Sequence, residues 1–213
     1  MEPSSELAID AKGVARRFGT RWILRGVTLQ LRAGETVGLL GANGSGKSTL
    51  LRIFGTLLKP SAGSATVLGH DVVRAADAVR ARIAFLSHEP GLYEDLTARE
   101  NLLFAATMLG IGPATVDSVL ARVELGYAAN ERVRGFSAGM ERRLSVARML
   151  LSRPGLLLLD EPYSNLDADG ISMMSGLISE AVRSGAAALV VLHELAPAAG
   201  ILSRTITIRD GRV

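Results

Sequence analysis

Cysteine is absent, so disulfides and thiolate metal sites are excluded from the outset. Aromatic side chains are scarce: one Trp, three Tyr and five Phe in 213 residues. So few rings cannot build a base-stacking platform, and no nucleic acid partner is expected. Long apolar runs are missing too. Leu156–Leu159 and Ala186–Leu192 suit buried parallel strands and fall far short of the roughly 20 residues of a membrane span. The start, MEPSSELAID, is acidic and polar and lacks a secretory leader pattern, so the chain is expected to stay where it is made. Strong net charge is also lacking, with 24 basic residues against 21 acidic. The arginine clusters at Arg80–Arg82, Arg132–Arg134 and Arg142–Arg143 have no interleaved aromatics and read as solvated faces.

What is present is apolar and patterned. Hydrophobic residues make up 48% of the chain and mean hydropathy is +0.27, enough for a sizeable core in a single domain spanning 1–213. Residues 6–32 read as strands with a turn, and the alternation over Val27–Leu31 predicts a half-exposed antiparallel strand. TVGLL (36–40) is a compact apolar strand. After it, Leu50, Leu51, Phe54, Leu57 and Leu58 fall at helical spacing, with Pro60 as the expected stop. GSATVLGHDV and RIAFL read as further strands. Thr97 with Glu100 three residues on is a capping-box signature for a helix, which Gly110, Gly112 and Pro113 break. A second helix runs to about Leu125, and a third begins at Ser137 and ends before Pro154. Strand LLLLD, a helix over about Ala168–Ser184, strand AALVVLH, a short helix and a terminal hairpin around Asp210-Gly211 complete the chain. Strands alternating with helices predict an α/β fold with a mainly parallel sheet. The strand-free stretch, about 89–154, reads as an inserted helical subdomain.

The sharpest local signal is GANGSGKST, residues 41–49. Gly41-x4-Gly46-Lys47-Ser48, set between a strand and a helix, has the pattern and context of a phosphate-binding P-loop. Glycines let several backbone N–H groups curl toward one anion, and the following helix adds its positive end. Lys47 supplies a point charge for the β- and γ-phosphates. Ser48 offers a hydroxyl to Mg²⁺. Ala42, Asn43, Gly44, Ser45 and Thr49 complete the cradle, whose side chains are small because the ligand touches main chain. Asp160 and Glu161 end the LLLLDE strand. There Asp160 can hold Mg²⁺ and Glu161 can polarise an attacking water. A GTPase reading fails for want of an Asn-Lys-x-Asp motif.

Beside these two motifs stand FSAGM (136–140), SNLD (164–167), His193 in VVLHE and Phe18 in RRFG. Together, in this order and spacing, they resemble the nucleotide-binding subunit of ATP-binding-cassette (ABC) transporters over essentially the whole chain. The resemblance implies a P-loop NTPase core with a mainly parallel sheet, an N-terminal antiparallel β subdomain and an inserted helical subdomain. It implies two such subunits, as a homodimer or paired ATPase subunits, with ATP and Mg²⁺ between them. Phe18 would stack on adenine, and Ser137 and Gly139 would hold the γ-phosphate of the partner's nucleotide, Gly139 keeping a Cβ out of its way. Asp167 would bridge the two sites. His193 would hold the γ-phosphate or the water-activating arrangement, making Glu161, His193 and Lys47 the catalytic set. Three departures stand out. Ala138 and Met140 replace a glycine and a glutamine of the family signature. Aligned on Glu89-Pro90-Gly91, His88 stands where the family has Gln in the loop linking Mg²⁺ to the membrane domain, which makes the metal set Ser48, His88 and Asp160; a one-residue slip would put Glu89 there instead.

The resemblance is strongest to the ATPase subunit of bacterial haem exporters of cytochrome c maturation. It implies a motor on the cytoplasmic face of the cell membrane, driving a separate integral membrane permease. Leu102, Leu103, Phe104, Met108 and Leu109 could offer a groove to that partner, although most of them are expected to fill the subdomain's own core. The competing expectation is a soluble ABC-type switch acting on a ribosome or nucleic acid. It is weakened because the chain has neither two such domains nor coiled-coil heptads.

Overall fold

The computed structural model describes residues 6–213. In chain order it runs β1 (Leu7–Phe18), β2 (Arg21–Arg32), β3 (Thr36–Leu40), α1 (Lys47–Phe54), β4 (Ala62–Val67), β5 (His70–Asp71), α2 (Ala76–Arg80) and β6 (Ile83–Leu86). Then follow α3 (Ala98–Met108), α4 (Thr115–Arg122), α5 (Ala138–Leu150), β7 (Leu156–Asp160), α6 (Ala168–Arg183), β8 (Ala187–Val191) and β9 (Arg204–Thr207). Two compact units result. The first holds the described residues up to Phe85, with Pro154–Pro162 and Leu177–Val213; the second holds Leu86–Arg153 and Tyr163–Gly176.

In the first unit, β1 and β2 pair antiparallel from Leu7↔Arg32 to Phe18↔Arg21, and β4 and β5 extend that sheet in the order β2-β1-β4-β5. The expected alternation is seen, with Val27, Leu29 and Leu31 buried and Thr28 and Gln30 exposed. A second sheet has the order β6-β7-β8-β3-β9, and β3 pairs parallel with both β8 and β9. β7 and β8 are buried along their whole length, as continuous apolar strands covered on both faces must be. Ile9, Leu24 and Leu31 share one core with Leu50, Leu51 and Phe54 of α1 and with Leu156, Leu158 and Leu189 of the parallel sheet. That core fixes where β3 and β7 end, and the 41–49 loop, Asp160 and Glu161 sit on those ends.

Two local expectations are corrected here. α1 stops at Phe54, well before Pro60, and Leu57 is 58% exposed. Thr56 takes a left-handed conformation (φ +63°), so that Thr56 N–H reaches Ile53 O and Leu57 N–H reaches Arg52 O. This is a Schellman ending that uses threonine where glycine is usual. The terminal hairpin is also smaller than expected. Arg204–Thr207 joins β3 in parallel, and the Asp210-Gly211 turn closes only a single Arg209–Arg212 bridge.

In the second unit, α3, α4 and α5 pack pairwise. Thr97 caps α3 with the full reciprocal box: its side chain accepts from Glu100 N–H while Glu100 accepts from Thr97 N–H. Asn101, buried one turn on, accepts from Tyr93 N–H and donates to Tyr93 O, fixing the loop that leads into the helix. Leu102 is buried, but Phe104, Met108 and Leu109 face outward, Met108 with 74% of its surface exposed. Most of the predicted core residues of this helix therefore lie on its open face.

Candidate functional site

The 41–49 loop leaves the end of β3 and enters α1 through Gly46, whose φ is +107°. No side chain caps α1 and no acid sits in its first turn, so its own sequence supplies no partner for its leading N–H groups. Lys47 is 6% exposed, and its Nζ donates to Gly41 O at 2.7 Å and to Ala42 O at 3.1 Å. The ammonium is thus folded back over the loop it follows. The three glycines differ in what requires them. A Cβ on Gly41 would come within 2.5 Å of Ile208 O, and one on Gly46 within 2.6 Å of Leu24 Cδ2, so both are demanded by packing within the chain. Gly44 (φ +76°) would meet nothing within 4 Å, so the loop is open on that side. Smallness at Gly41 and Gly46 therefore has a cause besides the ligand. The buried Ser45 Oγ has no hydrogen-bond partner among the described residues. An open glycine, an uncapped helix start and an orphan hydroxyl are what an anionic ligand would satisfy, and the loop fits a polyphosphate. A cavity of about 540 Å³ beside the loop is lined by Arg21, Trp22, Arg25 and Arg209 together with loop residues.

Asp160 ends β7 and is buried, with α1 packed against that strand. With the Ser48 hydroxyl it offers the hard oxygen donors Mg²⁺ prefers, the remaining ligands coming from phosphate and water. Glu161 follows at φ +51°, unusual for a residue with a side chain, and its N–H is pinned to Val191 O of β8. Its Oε1 lies 2.6 Å from His193 Nε2. An ionised carboxylate only accepts, so Nε2 carries the hydrogen in this contact. His193 stands two residues past the end of β8, the parallel neighbour of β7, which explains how two residues 32 positions apart meet. Phe18 ends β1 and is 47% exposed, so its ring is not core. The first unit thus contains Phe18, the loop, Asp160, Glu161 and His193.

The second unit contains His88, Ser137, Gly139 and Asp167. Ser137 caps α5 as expected, its Oγ accepting from Met140 N–H at 3.2 Å. Gly139 has a reason of its own within the chain: a Cβ there would sit 3.0 Å from Asn165 O. Asp167 accepts from Gly170 N–H and from Arg143 Nη2, and these bonds hold its carboxyl below the ordinary range. Arg143 also pairs with Glu124. Arg142 is 3% exposed and donates to Ser87 O at 2.7 Å. The Arg142–Arg143 cluster is therefore no solvated face, because α5 is packed on both the side of 87–91 and the side of Asp167. Ser145 and Arg148, further along the helix, donate to Pro90 O, and Arg148 also to Gly91 O. Sequence reasoning missed this grip on the loop that carries His88. The i, i+3, i+6 spacing of Arg142, Ser145 and Arg148 was the available signal.

A family profile described as ABC transporter matches residues 24–164. The chain belongs to the ABC transporter family. This ABC protein is 37% identical over 213 residues to the daunorubicin resistance ATP-binding protein DrrA3 of Streptomyces coeruleorubidus, covering 98% of this chain and 67% of that one. It is also 37% identical to the cytochrome c biogenesis ATP-binding export protein CcmA of Cupriavidus pinatubonensis, over 89% of this chain and 85% of that one. Among solved structures, an ATP-binding subunit of an ABC transporter superposes with TM-score 0.89 at 28% identity, over 97% of this chain and 88% of that one. A dimeric ATP-binding cassette in a post-hydrolysis state with ADP and Pi superposes with TM-score 0.86 at 28% identity, over 96% of both chains. The fold is the expected P-loop NTPase fold, and the protein is an ABC-type ATPase subunit.

Proposed function

We propose that this ABC ATPase is the motor subunit of an exporter, working in pairs against a separate integral membrane permease from the cytoplasmic face of the membrane. The observation that carries the reading is the 2.6 Å contact between Glu161 and His193 in the unit that also holds the phosphate-type loop. Lys47 and the loop amides bind the β- and γ-phosphates. Glu161 accepts the proton of the attacking water, and His193 fixes the carboxylate in orientation by donating to its other oxygen. Ser48 and Asp160 would hold Mg²⁺, which when bound neutralises charge on the β- and γ-oxygens. The expected role of His88 toward the metal rests on the family resemblance alone. Ser137, Gly139 and Asp167 would serve the nucleotide of a paired subunit, a reading supported by the dimeric form of the solved cassette.

The permease is supported by two observations. No helix among the described residues is long and apolar enough to cross a membrane. Tyr93, Phe104, Met108 and Leu109 of the second unit are exposed, with Tyr93 and Phe104 in edge-on ring contact at 5.2 Å. Affinity purification from detergent-solubilised membranes tests this. An integral membrane protein that co-purifies and stimulates ATP hydrolysis is expected; ribosomes or nucleic acid in its place would overturn the proposal. The narrower reading is haem export for cytochrome c biogenesis, supported by the similarity to the CcmA protein. Deleting the gene should then abolish c-type cytochromes. Intact cytochromes with acquired sensitivity to an anthracycline would sink the narrower reading and leave the broader one standing.

A further inference from the structure

The tip of the β1–β2 hairpin carries two arginine–aromatic stacks. Arg16 lies over the Phe18 ring with its guanidinium carbon 4.7 Å from the centroid, and Arg17 lies over Trp22 at 5.9 Å. The two are not equivalent. Arg16 is half-buried and anchored, its Nη1 donating to Lys59 O at 2.9 Å, while Arg17 and Trp22 are exposed. The anchored arginine therefore covers one face of Phe18 and leaves the ring nearly half exposed.

We infer that Arg16 is a positioning residue for the base of the nucleotide: it fixes the plane of Phe18 and occupies one face, so that the purine stacks on the other. This rests on the reading of Phe18 as the adenine platform. The physical argument has two parts. A phenyl ring at the end of a strand, half in solvent, is free to rotate about χ1 and χ2, and ordering it on binding costs entropy. A guanidinium already held at Lys59 O removes that freedom beforehand. The cation also draws electron density toward its own face, which favours an electron-rich purine on the opposite one. The expected size is that of a half-exposed cation–π contact, about threefold to fivefold in affinity.

The test is an equilibrium titration of the full chain with a fluorescent ATP analogue, displaced by ATP or by inorganic tripolyphosphate. Arg16→Ala and Arg16→Met should weaken ATP about threefold to fivefold and leave tripolyphosphate, which has no base, unchanged. Arg17→Ala makes the same change in charge and should leave both unchanged. Phe18→Leu should weaken ATP at least as much as Arg16→Ala, and adding Arg16→Ala to it should cost nothing more. Four results would overturn the inference: unchanged or tighter ATP binding in Arg16→Ala, an equal loss for tripolyphosphate, an equal loss in Arg17→Ala, or a loss that persists on top of Phe18→Leu. If Phe18→Leu binds ATP as wild type does, the reading of Phe18 fails first. Loss in Phe18→Leu without loss in Arg16→Ala removes the arginine's role alone.

Discussion

Two helix starts in this protein invite comparison, because both are candidate seats for phosphate. α1 is entered through a left-handed glycine, has no side-chain cap, and carries no acid in its first turn. α5 is capped by Ser137, whose hydroxyl already takes the Met140 amide, and has Glu141 in its first turn. A helix start exposes about four unpaired N–H groups and a partial positive charge, which must be met from somewhere. α5 meets part of the demand from its own sequence. α1 has neither a side-chain cap nor a first-turn acid, and adds the Lys47 ammonium. The difference teaches that α1 leaves its leading amides to a group outside its own sequence, while Ser137 has already taken one amide of α5 and leaves only the others to offer.

The comparison can be broken or sharpened by substitution. Lys47→Ala strikes the seat that depends most on a ligand. Turnover should be lost, and ATP affinity should fall by about 2–3 kcal/mol, the worth of charge-assisted hydrogen bonds; calorimetry and phosphate release would show it. Glu161→Gln keeps the seat and removes the base. Hydrolysis should drop by about 10²–10⁴-fold while ATP binding persists, and an ATP-bound dimer should accumulate in size-exclusion chromatography. Arg142→Ala removes a buried donor on α5 and leaves Ser87 O unsatisfied, lowering stability by about 1.5–3 kcal/mol in denaturant titration. Ser137→Ala, which makes α5 resemble α1, should cost about 1 kcal/mol of stability. Ser137→Arg should block the ATP-bound dimer while the single chain still binds ATP. The smallest effect concerns pH. Asp167 has its folded value depressed by the Gly170 amide and Arg143. Its contribution to stability is therefore complete above the ordinary carboxylate value and is lost as pH falls through the lowered one. Asp167→Asn should flatten the acid limb of the stability profile; an unchanged limb would remove that contribution.

The seat on α1 was legible because its signal is local: glycine spacing, one lysine, a strand before and a helix after. The capping box at Thr97 and the cap at Ser137 were legible for the same reason. Other features were set by distant partners. Thr56 can end α1 left-handed because neighbouring carbonyls receive its amide and the next, something no residue type announces. RTIT looked like half of a hairpin because the adjacent Asp-Gly turn is real; its true partner, β3, lies far away in sequence. Arg142 and Arg143 looked solvated because charge suggests water, and only the packing of α5 shows that carbonyls and carboxylates surround them. Of the site, the residue types could be read early. The Glu161–His193 contact could be read only once β7 and β8 were seen side by side.

The strand that leads into the phosphate-type loop is flanked by β8 on one side and β9 on the other. Both flanks lie far downstream of it in the sequence. During synthesis, therefore, the loop emerges well before the two strands that flank its own. Competence to hold a nucleotide should then follow the docking of β8 and β9 on β3, well after the loop itself has been made.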